Sequence, residues 1–326
     1  MTVPQIHEIL LGNSAAIRKV RALILAVAPT DVPVLISGPT GSGKELVANA
    51  IHAVSERRGR LVAFNVCAIA ESMFEDALFG HVRGAFTGAM NSSPGYLREA
   101  NGGTAFLDEI GGLNANGQAK LLRAIETREF RPVGAAADVR SEFRLLTAAN
   151  EDVWELVAEG RFRADLAHRL SSFVIRVPSL RERLEDVPSL ALAFLRESSG
   201  NAQSMISEGA ARMLQEHDWP GNVRELKHVI RSAVTLGDSQ RLRMETVQEA
   251  LSWKGPQISL APKRAIAERR LLEILEFCGW EIDEAARQLG VHRTTLYRRL
   301  KRAGLRQSSE ERRDEDVRQS GPSAVA

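Results

Sequence analysis

Residues 32–44 read VPVLISGPTGSGK, a largely apolar run of six residues that breaks into a glycine-rich turn ending in lysine. A run of this length closed by glycine has the signature of a buried strand. The residues after it, from about 45 to 57, carry a helical pattern, so GPTGSGK (38–44) stands between a strand and a helix. That is the context of a phosphate-binding loop: glycines let backbone N–H groups turn toward phosphate oxygens, and the helix N-terminus adds its positive end. Gly38, Pro39, Thr40, Gly41, Ser42 and Gly43 are the expected cradle, with Lys44 as the point charge for the β- and γ-phosphates. The generic pattern has Ser or Thr after the lysine to touch Mg²⁺; here Glu45 stands there, and a plain glycine-rich turn remains the alternative.

Outward from this stretch, further β-like runs fall at 61–66, 104–107, 143–148 and 173–177, separated by helical stretches such as 115–128. Alternation of this kind predicts an α/β layered domain with a mostly parallel sheet. Upstream, residues 1–30 read as an extended lead and a short amphipathic helix capped at Asn13 and Ser14. From about residue 185 the β-runs stop, and 187–197, 207–217, 223–236 and 244–251 read as helices, a helical lid. The stretch 252–263, with two prolines and a glycine in SWKGPQISLAP, reads as a linker. Residues 264–306 form a compact helical unit. The tail 307–326 is Ser-, Arg- and Glu-rich without apolar periodicity and reads as disordered. The expected domains are therefore 1–184, 185–251, 252–263, 264–306 and 307–326.

The chain of 326 residues is too long for one ordinary domain, and at 44% hydrophobic it has material for a sizeable, mainly aliphatic core. Its two cysteines, Cys67 and Cys278, lack metal-ligand spacing and read as buried free thiols in a reducing cytoplasm. No apolar run approaches bilayer length and no leader pattern opens the chain, so a cytoplasmic protein without a membrane partner is expected.

The second half of a nucleotide site lies in GGTAFLDE (102–109), a short apolar strand ending in two carboxylates. Asp108 is expected to hold Mg²⁺ through its water shell and Glu109 to polarise the attacking water. The two acids capping a following helix is the alternative. Paired with residues 38–44, they make this chain an expected ATPase, with ATP and Mg²⁺ as cofactors.

Between the two motifs stand LFGH (78–81) and GAFTGA (84–89). On these residues the chain, from about 8 to 305, resembles the AAA+ ATPases known as bacterial enhancer-binding proteins, the sigma-54-dependent transcription activators. The resemblance implies an AAA+ P-loop core with a parallel sheet, then a helical lid and a C-terminal all-α helix-turn-helix domain. It implies that Gly84, Ala85, Phe86, Thr87, Gly88 and Ala89 form the loop that engages sigma-54, an apolar–polar tip between flexible glycines. Asn65 matches the asparagine that holds the catalytic glutamate, Asn150 the first sensor, and Arg224 the second sensor, reaching from the lid. Arg163 and Arg169 match two arginine fingers inserted by a neighbouring subunit, a contribution of about 10³–10⁵ in rate. PSLRER (178–183) and WPGNVREL (219–226) are further family landmarks. The sequence departs from the family at Val82 and Arg83, where an acidic residue comes first, and at Ala149, where Thr is usual. Both departures bear on how nucleotide state is coupled to the loop.

At the C-terminal end, DEAARQLG (283–290) followed by VHRTTLYRRL (291–300) reads as helix, glycine turn, helix. Ala285, Ala286 and Leu289 are expected to pack on Val291, Leu296 and Leu300. From Arg287 to Arg306 there are seven Lys or Arg and no acid, the charge that phosphate contact requires. Arg293, Thr294, Thr295 and Arg298 are expected nearest the bases, with Arg299, Lys301 and Arg302 also on the DNA. The unit resembles a Fis-type domain, whose preceding helix, 264–277, would pair with a partner. Double-stranded DNA, sigma-54 with RNA polymerase, and further copies of the chain in a hexameric ring are thus the expected partners. With the phosphate loop beginning at Gly38, the chain is similar to the short phage-shock and Hrp-type activators, and a regulatory protein acting in trans is expected. A repressor that has lost its sigma-54 contact and an AAA+ machine acting on DNA itself are the competing readings.

Overall fold

A computed structural model of the chain describes residues 3–237, 240–252, 275, 278–279, 282–288, 293, 296 and 300. The order through the core is α1 (Val3–Ile9), α2 (Ala15–Val27), β1 (Val34–Ser37), α3 (Lys44–Val54), β2 (Leu61–Asn65), α4 (Phe74–Phe79), α5 (Tyr96–Glu99) and β3 (Thr104–Asp108). It continues with α6 (Ala115–Thr127), β4 (Glu129–Phe130), β5 (Val139–Arg140), β6 (Arg144–Ala149), α7 (Val153–Ala158), α8 (Ala164–Leu170) and β7 (Phe173–Arg176). The lid contributes α9 (Val187–Ser199), β8 (Met205–Ile206), α10 (Glu208–Glu216), α11 (Asn222–Leu236), β9 (Arg241–Leu242) and α12 (Met244–Ser252).

Five strands form one parallel sheet in the order β2-β3-β6-β1-β7. A parallel sheet is covered on both faces, so its inner strands are apolar throughout rather than alternating. All six residues of β6 are buried, and so are the first four of β3. One face packs on α4, α6, α7 and α8 through residues such as Leu78, Leu121 and Leu166. The other packs on α1, α2 and α3 through Ile6, Ile24 and Ile51. Arg144 opens β6 inside the core, and its guanidinium donates to the carbonyls of Ala28 (2.6 Å) and Val27 (2.8 Å), which end α2. Burial holds its pKa down at about 10.

The structure departs from the sequence reading in three places. The lead expected to be extended contains the helix α1; its proline lies in the first turn, where a missing N–H is harmless. The chain between α6 and β6 forms the antiparallel pair β4–β5. The lid is helical apart from a parallel pair of two-residue strands, β8 and β9. Ser14 caps α2 as expected, its Oγ accepting the N–H of Ile17.

The lid packs around Trp219, which is buried and donates from Nε1 to the carbonyl of Leu214 (2.8 Å). At the root of the lid lies buried Asp186. Its carboxylate accepts the N–H of Asn13 (2.6 Å), the N–H of Ser14 (2.8 Å) and the Ser14 hydroxyl (2.6 Å). The approach requires glycine at position 12: φ is +118°, and a Cβ there would lie 2.6 Å from the Asp186 carboxylate.

Residues 1–254 and 255–326 form separate compact units. In the second, Leu275, Ala285, Ala286, Leu296 and Leu300 are buried together, with Ala285 and Ala286 on the helix Ile282–Gln288. Leu289 and Val291, expected in the same core, lie outside the described residues, as do most of the linker at 252–263, most of the helix at 264–277 and the tail at 307–326.

Candidate functional site

The phosphate loop lies at the carboxyl end of β1, flanked by β6 and β7, which is where open α/β sheets bind ligands. Gly43, at φ +107°, turns the chain into α3, whose first residue is Lys44. Lys44 is buried, and Nζ donates to the carbonyls of Gly38 (2.9 Å) and Pro39 (3.3 Å) and to the side-chain oxygen of Asn150. Burial lowers its pKa, while the charges of Asp108 and Glu109 act to raise it. Glu45 is exposed in the first turn of α3, where the helix dipole favours an acid.

Asp108 ends β3 and is half-buried, with Oδ1 accepting the N–H of Glu109 (2.9 Å). Burial raises its pKa, and the positive charge of Lys44 offsets part of that. Glu109 adopts a left-handed conformation, φ +57°. A residue without special need avoids that region, and such strain clusters at functional sites. Its Oε1 accepts Nδ2 of Asn150 (3.1 Å). Asn150 thus bridges the lysine of the loop and the glutamate of the strand.

The lid closes directly on the loop. Asn222, buried at φ +55°, donates from Nδ2 to the carbonyl of Thr40 (3.0 Å) and accepts the N–H of Leu180 at Oδ1 (2.8 Å). The N–H of Arg224 reaches the carbonyl of Gly41 (3.3 Å), and Arg183 donates to the carbonyl of Ser42 (3.0 Å). Gly41 has φ +76°, and a Cβ there would lie 2.4 Å from the carbonyl oxygen of Gly221, so glycine is what lets the lid approach. The exposed Arg224 side chain adds positive charge near Lys44 and Asp108.

The Asn65 side chain does not hold Glu109: its oxygen accepts the N–H groups of Cys67 (2.8 Å) and Ala68 (3.1 Å), capping a tight turn after β2. The side chain that reaches the glutamate is that of Asn150. Ala149 is 2% exposed and packs in the apolar core, while its carbonyl accepts the N–H of Gly38 at the start of the phosphate loop (3.2 Å). Arg163 and Arg169 are exposed at the start and end of α8, outside the Lys44–Asn150–Glu109 chain. Arg163 makes a two-bond ion pair with Asp165 (3.0 and 2.7 Å), which holds that carboxyl down at about 2. Cys67, expected as a buried thiol, is exposed in the turn after β2. Asn222 and Arg183 were not singled out as site residues; they lie in the quoted WPGN and RER motifs, which was the available signal.

The loop 84–89 is closed at its base by the N–H of Gly84 on the carbonyl of Ala89 (2.9 Å). Gly84 and Gly88 have φ of +81° and +102°, with open space where a Cβ would stand. Phe86 is 44% exposed, its ring meeting that of His81 at 5.1 Å, and Thr87 is exposed beside it. His81 is fixed by Asp76 on one ring nitrogen and the carbonyl of Asn91 (2.8 Å) on the other. The root is tied to the β4–β5 connection: Val82 N–H to the Val133 carbonyl (3.1 Å), Val133 N–H to the Gly80 carbonyl (2.8 Å), and Ala85 against Gly134. Among the expected DNA-contacting residues, Arg293 is described; it is exposed and pairs with Asp283 (3.3 Å). Thr294, Thr295, Arg298, Arg299, Lys301 and Arg302 lie outside the described residues.

A parallel sheet of this order, a phosphate loop, a strand ending in paired acids and a lid clamped on the loop define an AAA+ P-loop ATPase. Three family models match in succession: the sigma-54 interaction domain over 10–176, an AAA+ ATPase lid domain over 181–261, and a bacterial regulatory protein of the Fis family over 264–302. The transcriptional regulatory protein ZraR of Salmonella typhimurium is 41% identical over 301 residues, covering 90% of this chain and 68% of its own length. The anaerobic nitric oxide reductase transcription regulator NorR of Escherichia fergusonii is 42% identical over 317 residues, covering 91% of this chain and 63% of its own. Among solved structures, NtrX from Brucella abortus in complex with ADP superimposes with a TM-score of 0.68 at 33% identity, covering 90% of this chain and 69% of that one. The chain belongs to the sigma-54-dependent transcription activators, and it spans about two thirds of the length of these relatives.

Proposed function

We propose that the chain binds ATP with Mg²⁺ and couples its hydrolysis, in a ring of copies that is a hexamer by family analogy, to remodelling of the sigma-54 RNA polymerase closed complex. The observation that carries this reading is the joining of Lys44 to Glu109 through Asn150, under a lid held at Thr40 and Gly41. Such a chain changes when the lysine turns to a phosphate. Relatives support the nucleotide, since NtrX was solved with ADP and with ATP.

Gly38–Lys44 cradle the phosphates, and Glu109 orients and polarises the attacking water. Asp108 fits a magnesium site, because Mg²⁺ is usually held by one or two carboxylates together with phosphates and its own waters. The raised pKa of Asp108 marks a carboxylate that a nearby cation would stabilise. Bound there, the metal would neutralise charge on the phosphates. Asn150 and Arg224 register the nucleotide, while Arg163 and Arg169 act on the site of a neighbouring copy. The loop 84–89 presents Phe86 and Thr87 to sigma-54.

The domain division proposed is 1–184 for the core, 185–251 for the lid, 252–263 for the linker, 264–306 for the DNA-binding unit and 307–326 for the tail. Double-stranded DNA upstream of a promoter is the ligand of residues 264–306, and a protein acting in trans is the regulator.

The test is complex formation with sigma-54 in ADP and aluminium fluoride, comparing wild type with Thr87→Ala. A complex formed by the wild type and not by the variant, with ATP hydrolysis intact in both, is expected. No complex from either, with normal hydrolysis, would sink the sigma-54 role and favour an AAA+ machine acting on DNA itself.

A further inference from the structure

Gln118 stands in the first turn of α6 and is buried, 2% exposed. Its carboxamide uses both ends. Nε2 donates to the carbonyl of Leu113 (2.8 Å) and to the carbonyl of Arg161 (3.0 Å), while Oε1 accepts the N–H of Arg163 (2.8 Å). A carbonyl can only accept and an N–H can only donate, so these partners fix the amide in one orientation. The same segment is held from the other side by α7, where the Leu156 carbonyl accepts the N–H groups of Arg161 (2.9 Å) and Phe162 (3.2 Å). The Phe162 side chain is buried in the core. The backbone that enters α8 is thus pinned at each residue from Arg161 to Arg163, and the Arg163 guanidinium is left exposed.

We propose that Gln118 is a positioning residue for Arg163, setting the point from which that guanidinium reaches the nucleotide of a neighbouring copy. The proposal rests on the role of Arg163 given above. A long side chain that acts on another subunit's phosphate needs a rigid root, because an error of about 1 Å can cost about a hundredfold in rate. Gln118 supplies that root by spanning two pieces of chain. On one side is Leu113, directly after the turn Ile110–Gly112 that follows Glu109; on the other is the start of α8. The arginine offered to the neighbour is therefore placed relative to the end of β3 in its own subunit. Among the described residues the Gln118 side chain bonds none of Lys44, Asp108, Glu109 and Asn150, so it serves the neighbour's site rather than its own.

The experiment is steady-state ATP hydrolysis by equimolar mixtures of full-chain variants. The reference mixture joins Glu109→Gln, with an intact arginine and a disabled site, to Arg163→Ala, which has the reverse. Hydrolysis should return on mixing, to at most about a quarter of wild type, the share of random neighbours that pair an intact site with an intact arginine. Gln118→Met keeps the side-chain volume and loses all three bonds; it is added to one partner at a time. In the Glu109→Gln partner it should cut the restored kcat at least about tenfold, equivalent to ~1.4 kcal/mol, with KM for ATP within about twofold. In the Arg163→Ala partner it should leave the restored rate within about twofold, which also shows that the variant folds and assembles. A merely structural glutamine would lower both mixtures alike, and that result would overturn the proposal. So would an unchanged rate when the Glu109→Gln partner carries Gln118→Met, a loss confined to the Arg163→Ala partner, or an effect carried by KM. No restoration in the reference mixture would instead overturn the action of Arg163 on its neighbour, and the hold with it.

Discussion

Replacing Asn222 by alanine tests how the lid is fastened to the phosphate loop. The side chain satisfies the N–H of Leu180, which is fully buried, and the carbonyl of Thr40, which belongs to an exposed residue. An orphaned buried donor costs about 2 kcal/mol, and loss of the second bond, which water replaces, about 0.5–1 kcal/mol. Asparagine also tolerates φ of +55° better than alanine, a difference of about 1 kcal/mol. Together these give about 4 kcal/mol for Asn222→Ala and about 3 kcal/mol for Asn222→Gly, which escapes the backbone part. For a unit of this size each kcal/mol moves Tm by about 2–4 °C. Calorimetry of the full chain should then show the transition of the 1–254 unit about 10 °C lower in the alanine variant, with glycine about 2–3 °C above alanine. An alanine variant within about 2 °C of wild type would refute the clamp. Glycine no better than alanine would refute the backbone share.

Gly41→Ala forces a methyl against the Gly221 carbonyl; it should weaken ATP binding by at least about tenfold, measured by titration with a fluorescent ATP analogue, and unchanged affinity would count against the close approach. Phe86→Ala removes an exposed ring that meets only the rim of the fold at His81; Tm should stay within about 1 °C and hydrolysis within about twofold while sigma-54 capture is lost. Asp165 is held at about 2 by its bonds to Arg163, so the pairing is present above the ordinary carboxyl value and is lost as pH falls through about 2. Arg163→Ala should return the Asp165 titration, followed by NMR, toward the ordinary value of 3.8, and no movement would contradict the pairing.

The strands of the core were legible because a parallel sheet writes itself as short apolar runs: 104–107 became β3, one residue longer, and 143–148 became β6, shifted by one residue. Arg144 fell within the run read as a strand, but its burial was not foreseeable, because what admits it to the core is two carbonyls at the end of α2, more than a hundred residues earlier. Strands β4, β5, β8 and β9 have two residues each, too few to establish a period. Lys44, Asp108, Glu109 and the loop 84–89 could be read because their chemistry depends on local spacing. Asn222 and Arg183 act through contacts 182 and 141 residues away along the chain.

The bonds from Asp186 to Asn13 and Ser14 join the entrance of the first long helix to the start of α9, the first helix of the lid. Mechanically this makes a short transmission that bypasses the sheet. A pull or twist applied to the chain ahead of Gly12 arrives at the root of the lid with little compliance between, because glycine backbone and carboxylate are in direct contact there. Anything that grips the leading segment would thereby act on the gap over the phosphate loop without touching the loop itself.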